Sequence, residues 1–262
     1  MNITGIVITL NEQDKIHDCI QSLWRVCDEV IVVDSVSEDR TVEIAKAAGA
    51  KVIIQPFLGY GPQKRLAVPQ AKNDWILAVD ADEHLQTDAV EAIEKIDFSQ
   101  ENIAYAFKLK NFVGRKWIKA AGFYPCYKTR LYNRKTSGFS ENITHEGITA
   151  KKIIRLSGHL THKTYDSYED WVDKINKLTT LDALSQQKLG KVSTPGKATR
   201  HAIAAFFQKM IFKGGIFQGN DGFLVAITSA FRIYMKYMKL YEMQNASKTS
   251  DQTAPDFKRD DL

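Results

Sequence analysis

Asp80-Ala81-Asp82-Glu83 follows directly on an apolar run, Trp75-Ile76-Leu77-Ala78-Val79. Two carboxylates at i and i+2 on the exit from a buried strand can face one ligand. One can hold a ribose hydroxyl while the other holds a divalent cation bridging a diphosphate, and hard oxygen ligands with retained water suit Mg2+ or Mn2+. The same residues can equally form a solvated turn that begins a helix at Glu83, because acidic residues commonly cap helices. Order along the chain favours the first reading. Thr9-Leu10-Asn11-Glu12 closes one apolar run, and Asp34-Ser35-Val36-Ser37-Glu38-Asp39-Arg40-Thr41 closes the next. Asn11 and Asp39 taken singly read as caps, but a carboxylate at Asp34 can accept the imide N–H of uracil, and Ser35 with the loop after it offers donors to ribose or phosphate. Together the three exits describe a nucleotide site.

Such a site needs elements that bring its parts to one place. Short β-branched runs at Ile3 to Ile8, Glu29 to Asp34, Lys51 to Ile54 and Trp75 to Asp80 alternate with helical patterns, Ile16, Ile20, Leu23 and Cys27 first and Val42, Ala45 and Ala48 second. That alternation predicts a mostly parallel sheet with crossover helices. Ligands of open α/β sheets sit beyond the carboxyl ends of the strands, so Asn11, Asp34 and Asp80 are expected at one edge. From Ile103 to about Tyr165 the pattern turns to period two, which predicts mixed or antiparallel strands and loops. Helical stripes follow at Tyr168, Trp171, Ile175, Leu178 and Leu184, then over Lys197 to Phe212 and Phe223 to Tyr241. The expected organisation is a catalytic domain over 1–165, a helical region over 166–245 and a disordered tail over 246–262.

The constellation resembles the inverting family 2 glycosyltransferases of GT-A fold, and more closely their bacterial lipopolysaccharide inner-core glucosyltransferase branch. The resemblance is carried by Ile8-Thr9-Leu10-Asn11-Glu12, Val33-Asp34-Ser35 with Ser37, Asp39 and Thr41, Gly61-Pro62-Gln63-Lys64-Arg65, Trp75-Ile76-Leu77 leading to Asp80-Ala81-Asp82-Glu83, then Arg130-Leu131-Tyr132, His145-Glu146 and His162. It implies a GT-A type nucleotide-binding mixed sheet flanked by helices, with a C-terminal helical appendage. It implies further that Leu10, Asn11, Glu12, Asp34 and Ser35 line the nucleoside pocket with Lys64 near the donor. Asp80 and Ala81 would face the ribose, and Asp82 and His162 the Mn2+ or Mg2+. Arg65 stands where that branch usually has Asn. Glu146 falls where such enzymes keep the base that takes the acceptor proton. Trp117 and Tyr124 suit stacking on a sugar face, and Arg130 can grip an acceptor phosphate or carboxylate. The implied reaction moves glucose from UDP-glucose to a lipid-linked or core oligosaccharide of lipopolysaccharide.

Composition sets the bounds. The 262 residues carry 36 Lys and Arg against 31 Asp and Glu, a net +5, too modest to suggest nucleic acid as a partner when no motif for it is present. Between Gly190 and Ala246 eight basic residues face two acidic ones, a local excess of +6. Interleaved with aromatics, that segment suits either an anionic membrane surface or a packed helical hairpin. The three cysteines have no metal-type spacing, which with the absence of a basic, cleavable leader predicts a cytoplasmic protein, peripheral on the inner face of the membrane. Two other classes compete: a nucleotidyltransferase, which would want a Gly-rich loop after the first strand, and a non-catalytic carbohydrate-binding protein.

Overall fold

β-Branched runs buried on both faces build the first half of the sheet. The computed structural model describes residues 2–139 and 147–252. β1 (Ile3–Thr9), β2 (Glu29–Asp34), β3 (Lys51–Ile54) and β4 (Trp75–Asp80) lie parallel, joined by α1 (Ile16–Leu23), α2 (Thr41–Ala47) and α3 (Tyr60–Ala67). Alternate residues feed two core clusters: Ile3 and Val7 pack with α1, while Ile6 and Ile8 pack with Ala67 of α3. Such double burial is why β1, β2 and β4 read as continuous apolar runs rather than alternating ones, whereas β3, at the edge of the sheet, is partly exposed.

The Asp80 turn leads into a short strand, β5 (Glu83–Leu85), and then α4 (Thr87–Glu94). The competing reading of this turn began a helix at Glu83; the structure pairs Glu83 and Leu85 antiparallel with His162 and Leu160 instead, a partnership that local propensity cannot anticipate. β6 (Ile103–Val113), β7 (Lys116–Trp117), β8 (Cys126–Asn133), β9 (Gly138–Phe139), β10 (Ile148–Thr149) and β11 (Lys152–Tyr165) complete the strands. The main sheet runs β3-β2-β1-β4-β8-β6-β11-β5, with β7 on β6, and β9 and β10 form a separate pair. β8 is antiparallel to both β4 and β6, and β11 is parallel to β6. β6 and β11 therefore point the same way as β1, β2 and β4, and the carboxyl ends of all five open on one edge of the sheet. The mixed sheet, its flanking helices and the C-terminal helical region are the architecture that the GT-A resemblance implies.

The chain divides into two compact units, one made of the residues up to Lys119 with Phe123–Asp166, the other of Ala120–Gly122 with the residues from Ser167 onward. The second unit holds α5 (Tyr168–Lys188), α6 (Pro195–Phe207) and α7 (Gly219–Gln252). Ser167 and Thr194 cap the first two by accepting from the N–H groups of Asp170 and Lys197, each relieving one orphan donor of the first turn. The α5 stripe differs from the sequence reading. Trp171, Ile175, Thr179 and Ala183 are buried, whereas Tyr168 and Leu184 are exposed. α7 continues through Gln252, beyond the start of the segment expected as a tail.

Candidate active site at the carboxyl edge of the sheet

Backbone strain marks the first two strand exits. Asn11 (φ 53°) and Val36 (φ 68°) both occupy the left-handed region. Asn tolerates it, but a β-branched residue there costs on the order of 1–3 kcal/mol and persists only where its surroundings impose it. The surroundings are visible. The Asn11 N–H donates to Ser37 Oγ (2.8 Å), its Oδ1 accepts from the Glu38 N–H (2.9 Å), and the Glu12 N–H donates to Thr41 Oγ1 (2.8 Å). Thr9 and Asp34 are register partners, so the half-exposed Leu10 and Val36 both lie just past the ends of adjacent strands. Glu12 is drawn toward Lys15 (3.2 Å), which also pairs with Asp166 (2.8 Å).

Asp34 has a local task of its own. It is buried, and its carboxylate accepts both the N–H (2.8 Å) and the hydroxyl (2.5 Å) of Ser37. It thus holds the turn that carries Ser37 to Asn11. Ser35 donates its N–H to Thr9 O (2.9 Å), and its Oγ accepts from Gln63 Nε2 (3.2 Å). Gln63 was read only as part of segment 61–65, with no role of its own, yet it is fully buried and also donates to Gln55 O and accepts from the Leu58 N–H.

The third exit is a cluster of buried charge. Lys64, fully buried on α3, reaches Asp80 at 2.6 Å, and Arg130 Nη2 lies 2.7 Å from Asp80 Oδ2 and 2.5 Å from Glu83 Oε1. Burial alone would raise the Asp80 carboxyl, but Arg130 and Lys64 outweigh it and hold Asp80 ionised, far below the usual carboxylate range. At Glu83 burial, reinforced by the charge of Asp80, outweighs Arg130 and pushes the carboxyl up. Arg130 was expected to grip the acceptor. Instead the pairing of Leu131 with Leu77 lays Arg130 alongside the end of β4, where it is buried and committed to the two carboxylates. The Ala81 side chain points into the core, which leaves its backbone for any ligand contact.

Asp82 and His162, which the resemblance implied as metal ligands, do meet: Asp82 Oδ2 is 3.3 Å from His162 Nε2. The β5–β11 pairing brings them together, and Asn111 on β6, absent from the sequence reading, orients the imidazole. Its Nδ2 donates to Phe123 O (2.6 Å), which turns its Oδ1 toward His162 Nδ1 (2.7 Å). The proton then sits on Nδ1 and the Nε2 lone pair faces a carboxylate, the arrangement in which a metal-ligating histidine is usually held. Either a proton or a cation must lie between the two. Burial disfavours the imidazolium, but Asp82, with Glu83 and Asp80 behind it, outweighs burial and raises the His162 pKa. The pair therefore fits a divalent cation held by two protein ligands. Among the described residues no group of three or more His, Cys, Asp or Glu side chains is arranged to hold a metal, so substrate phosphates and water would complete the shell, as is common for Mg2+.

Trp117 and Tyr124 come together edge to face at 5.1 Å, and Lys119 (4.1 Å) and Lys110 (5.2 Å) lie over the Trp117 ring. Tyr124 is fixed through its hydroxyl to His159 Nε2 (2.9 Å), and Asp88 holds His159 Nδ1 at 2.5 Å. The close approach of α4 to β11 that this needs depends on Gly158, where a Cβ would fall 2.4 Å from Ala89 Cα. The result is a rigid aromatic surface under two cations, at the same sheet edge as the charge cluster. His145 and Glu146 lie outside the described residues.

Strand exits with these polar residues at one edge of a mixed sheet define an α/β domain with a candidate ligand site there, and comparison makes the class specific. The chain belongs to glycosyl transferase family 2, whose model matches residues 4–158, and it is a glycosyltransferase. It is 36% identical over 254 residues to an uncharacterized glycosyltransferase of Rickettsia bellii, covering 92% of this chain and 86% of that one. It is 27% identical over 262 residues to the lipopolysaccharide core biosynthesis glycosyltransferase LpsC of Rhizobium meliloti, covering 92% of each. A solved structure of Mycobacterium tuberculosis glucosyl-3-phosphoglycerate synthase with Mn2+, UDP-glucose and phosphoglyceric acid matches 42% of this chain and 43% of its own, at 25% identity and a TM-score of 0.33.

Proposed function

We propose that this glycosyltransferase moves a hexose, glucose from UDP-glucose, to a saccharide of the lipopolysaccharide core, with inversion and with help from a divalent cation. The observation that carries the reading is the convergence of Asp82 and His162 beside the Lys64–Asp80–Arg130 cluster, at the edge where the strained Asn11 and Val36 loops end. A core saccharide as acceptor is favoured by the likeness to LpsC along nearly the whole chain and by the Trp117–Tyr124 surface, whose aromatic faces suit the C–H face of a sugar ring. Asp82 and His162 would hold the cation, whose chemistry is to neutralise the diphosphate as it leaves. Glu146 would take the proton of the acceptor hydroxyl as that oxygen attacks the anomeric carbon, so that an α-linked donor gives a β-linked product without a covalent intermediate.

A panel of nucleotide sugars assayed with purified core oligosaccharides, with and without Mn2+, and with product linkage read by NMR, tests the reading; an α-linked product or a transfer indifferent to metal would refute its mechanism. Glu146→Gln keeps the side-chain size but cannot accept the proton. Donor binding by calorimetry should persist while turnover drops by roughly 100-fold to 10,000-fold.

We place the protein on the cytoplasmic face of the inner membrane. No helix among the described residues is long and apolar enough to cross a bilayer. In the second unit, however, Phe212 and Phe217 are 82% and 89% exposed, with Ile211 and Ile216 also exposed and Lys209 and Lys213 among them. Apolar side chains flanked by lysines suit the interface of an anionic bilayer. Binding to vesicles should require anionic lipid and weaken with salt, since surface charge is screened over roughly 8 Å at physiological ionic strength. Phe212→Ser with Phe217→Ser should remove it, as cosedimentation would measure.

A further inference from the structure

Between α6 and α7 in the second unit lies an open groove of about 680 Å³, lined by residues that the transfer reaction does not use. That volume is within the roughly 300–1,000 Å³ usual for small-molecule sites. Its walls are of two kinds. Ala204, Ala205, Phe212 and Ile233 make an apolar side, and Lys213, Lys236 and His201 make a polar one around Tyr237. The polar side is built rather than incidental: the Tyr237 ring stacks on His201 at 4.8 Å, with Lys236 Nζ 4.7 Å and Lys197 Nζ 5.5 Å from its centroid.

The cations in this groove are not neutralised. Among the described residues no carboxylate lies within ion-pairing distance of Lys197, Lys213 or Lys236, and Asp182, the acid that acts on Lys236 from a distance, is already paired with Arg232 at 3.1 Å. Lys236 is half-buried, and burial lowers its pKa. A half-buried ammonium without a paired counterion is a costly feature, since desolvation is met only by a distant opposite charge. The local backbone also shapes the groove. α6 ends in a π-helical turn, Gln208–Phe212, closed by Gly214 in the left-handed region (φ 68°), and such turns reposition side chains and often occur at functional sites. Here it brings Phe212 and Lys213 to the rim.

We propose that this groove binds one anionic amphiphile, with a phosphate against Lys236 and Lys213 and an apolar chain along Phe212, Ile233 and the two alanines. The phosphate can come from a membrane phospholipid or from a phosphorylated lipid carrier. Their shared chemistry, a phosphate ester joined to hydrocarbon, is what the groove recognises. The inference leans on the membrane reading only for where such a ligand is met, and it asks more than that reading does, because surface attraction needs no groove.

The probes are dihexanoyl phosphatidylglycerol, dihexanoyl phosphatidylcholine, a farnesyl monophosphate and inorganic phosphate, each added below its micellar concentration to the full chain and followed by calorimetry and by NMR of backbone amides. Phosphatidylglycerol or farnesyl phosphate should bind at least about 10-fold more tightly than either control, shifting amides of residues 201–213 and 233–237. Whichever of the two binds better identifies the source. Lys236→Gln should weaken that binding at least about 10-fold, and Lys213→Gln, at an exposed position that leaves folding untouched, should do so in the same direction. Equal binding of the zwitterionic lipid, equal binding of inorganic phosphate, or no change in either variant would overturn the proposal. So would a concentration-dependent dimer that both substitutions dissociate, since a second copy would then be the occupant. Where one of these results overturns the groove, anionic vesicles that still bind the protein would leave the membrane reading standing.

Discussion

Asp82→Asn is expected to give a folded protein whose transfer activity no longer responds to Mn2+ or Mg2+, with kcat/KM lowered on the order of 100-fold to 1,000-fold, the cost of one preorganised electrostatic contact to developing charge. Asparagine keeps the size of the side chain, and the backbone bond from the Lys163 N–H to Asp82 O (2.9 Å) does not involve it. What is lost is the charge facing His162 Nε2 at 3.3 Å. In the parent protein His162 is raised by Asp82 against the effect of burial. With the carboxylate gone, burial is left with less opposition, and the imidazole should titrate lower. Two consequences follow for the parent. A cation must displace the proton from Nε2, so metal binding should release a proton and weaken as pH falls through the raised His162 value. A group whose folded pKa is raised adds stability that is complete below its unfolded pKa and lost as pH rises through the folded one. The His162–Asp82 contact should therefore stabilise the metal-free protein at mildly acidic pH and cease to do so above it. Calorimetric titration with Mn2+ and an NMR pH titration of His162 measure both. Unchanged metal dependence in the folded variant would remove Asp82 from the site.

The sequence revealed the strand exits because each is a local event. An apolar run stops at Thr9, Asp34 or Asp80, polar residues begin, and the parallel register of β2, β1 and β4 then brings the three ends to one edge whatever else the chain does. Arg130 was misread because its partners are remote. Nothing near it in the chain is a carboxylate, and the two that claim it are 50 and 47 residues away, reached only through the β4–β8 pairing. The same distance hid β5. Glu83 reads as a helix start until β11 supplies an antiparallel partner from 75 or more residues further on. Asn111 left a weak trace: along β6, Ala104 aside, the odd positions from Ile103 to Leu109 are core-facing, so a polar residue at 111 continues a buried row and needs a partner there. That partner is His162, and the pair explains why a histidine found by resemblance alone faces Asp82 with the right nitrogen. Asp34 is the converse case, a residue at the expected strand exit whose carboxylate the structure shows bonded to Ser37 of its own loop.

The second large effect concerns stability. Arg130→Met should destabilise the first unit by roughly 3–5 kcal/mol at neutral pH, the usual cost of stranding a buried charge by removing its partner. Methionine fills much of the volume, so the loss is chiefly electrostatic. Arg130 lies against Asp80 and Glu83, and Glu83 is wholly buried. Lys64 still pairs with Asp80 after the change, so Glu83 is the group left in difficulty, and its carboxyl, already pushed up in the parent, should rise further and take a proton. Removing its charge in advance is the test. If Glu83 is the stranded group, Arg130→Met combined with Glu83→Gln should recover a large part of the loss, giving a coupling energy well above the 0.3–0.5 kcal/mol or so within which independent sites add. The pH dependence should also change. In the parent, Asp80 is held far below the usual range, and a depressed carboxyl contributes stability that is present above its unfolded pKa and lost as pH falls through the folded one. In Arg130→Met that contribution shrinks while protonation of Glu83 relieves the strain, so the deficit relative to the parent should narrow as pH is lowered from 7 toward 5. Denaturant melts of the parent, the single and the double variants across that interval decide it. A deficit independent of pH and untouched by Glu83→Gln would mean that Arg130 acts through packing, and that the charge cluster at the end of β4 is held together by Lys64.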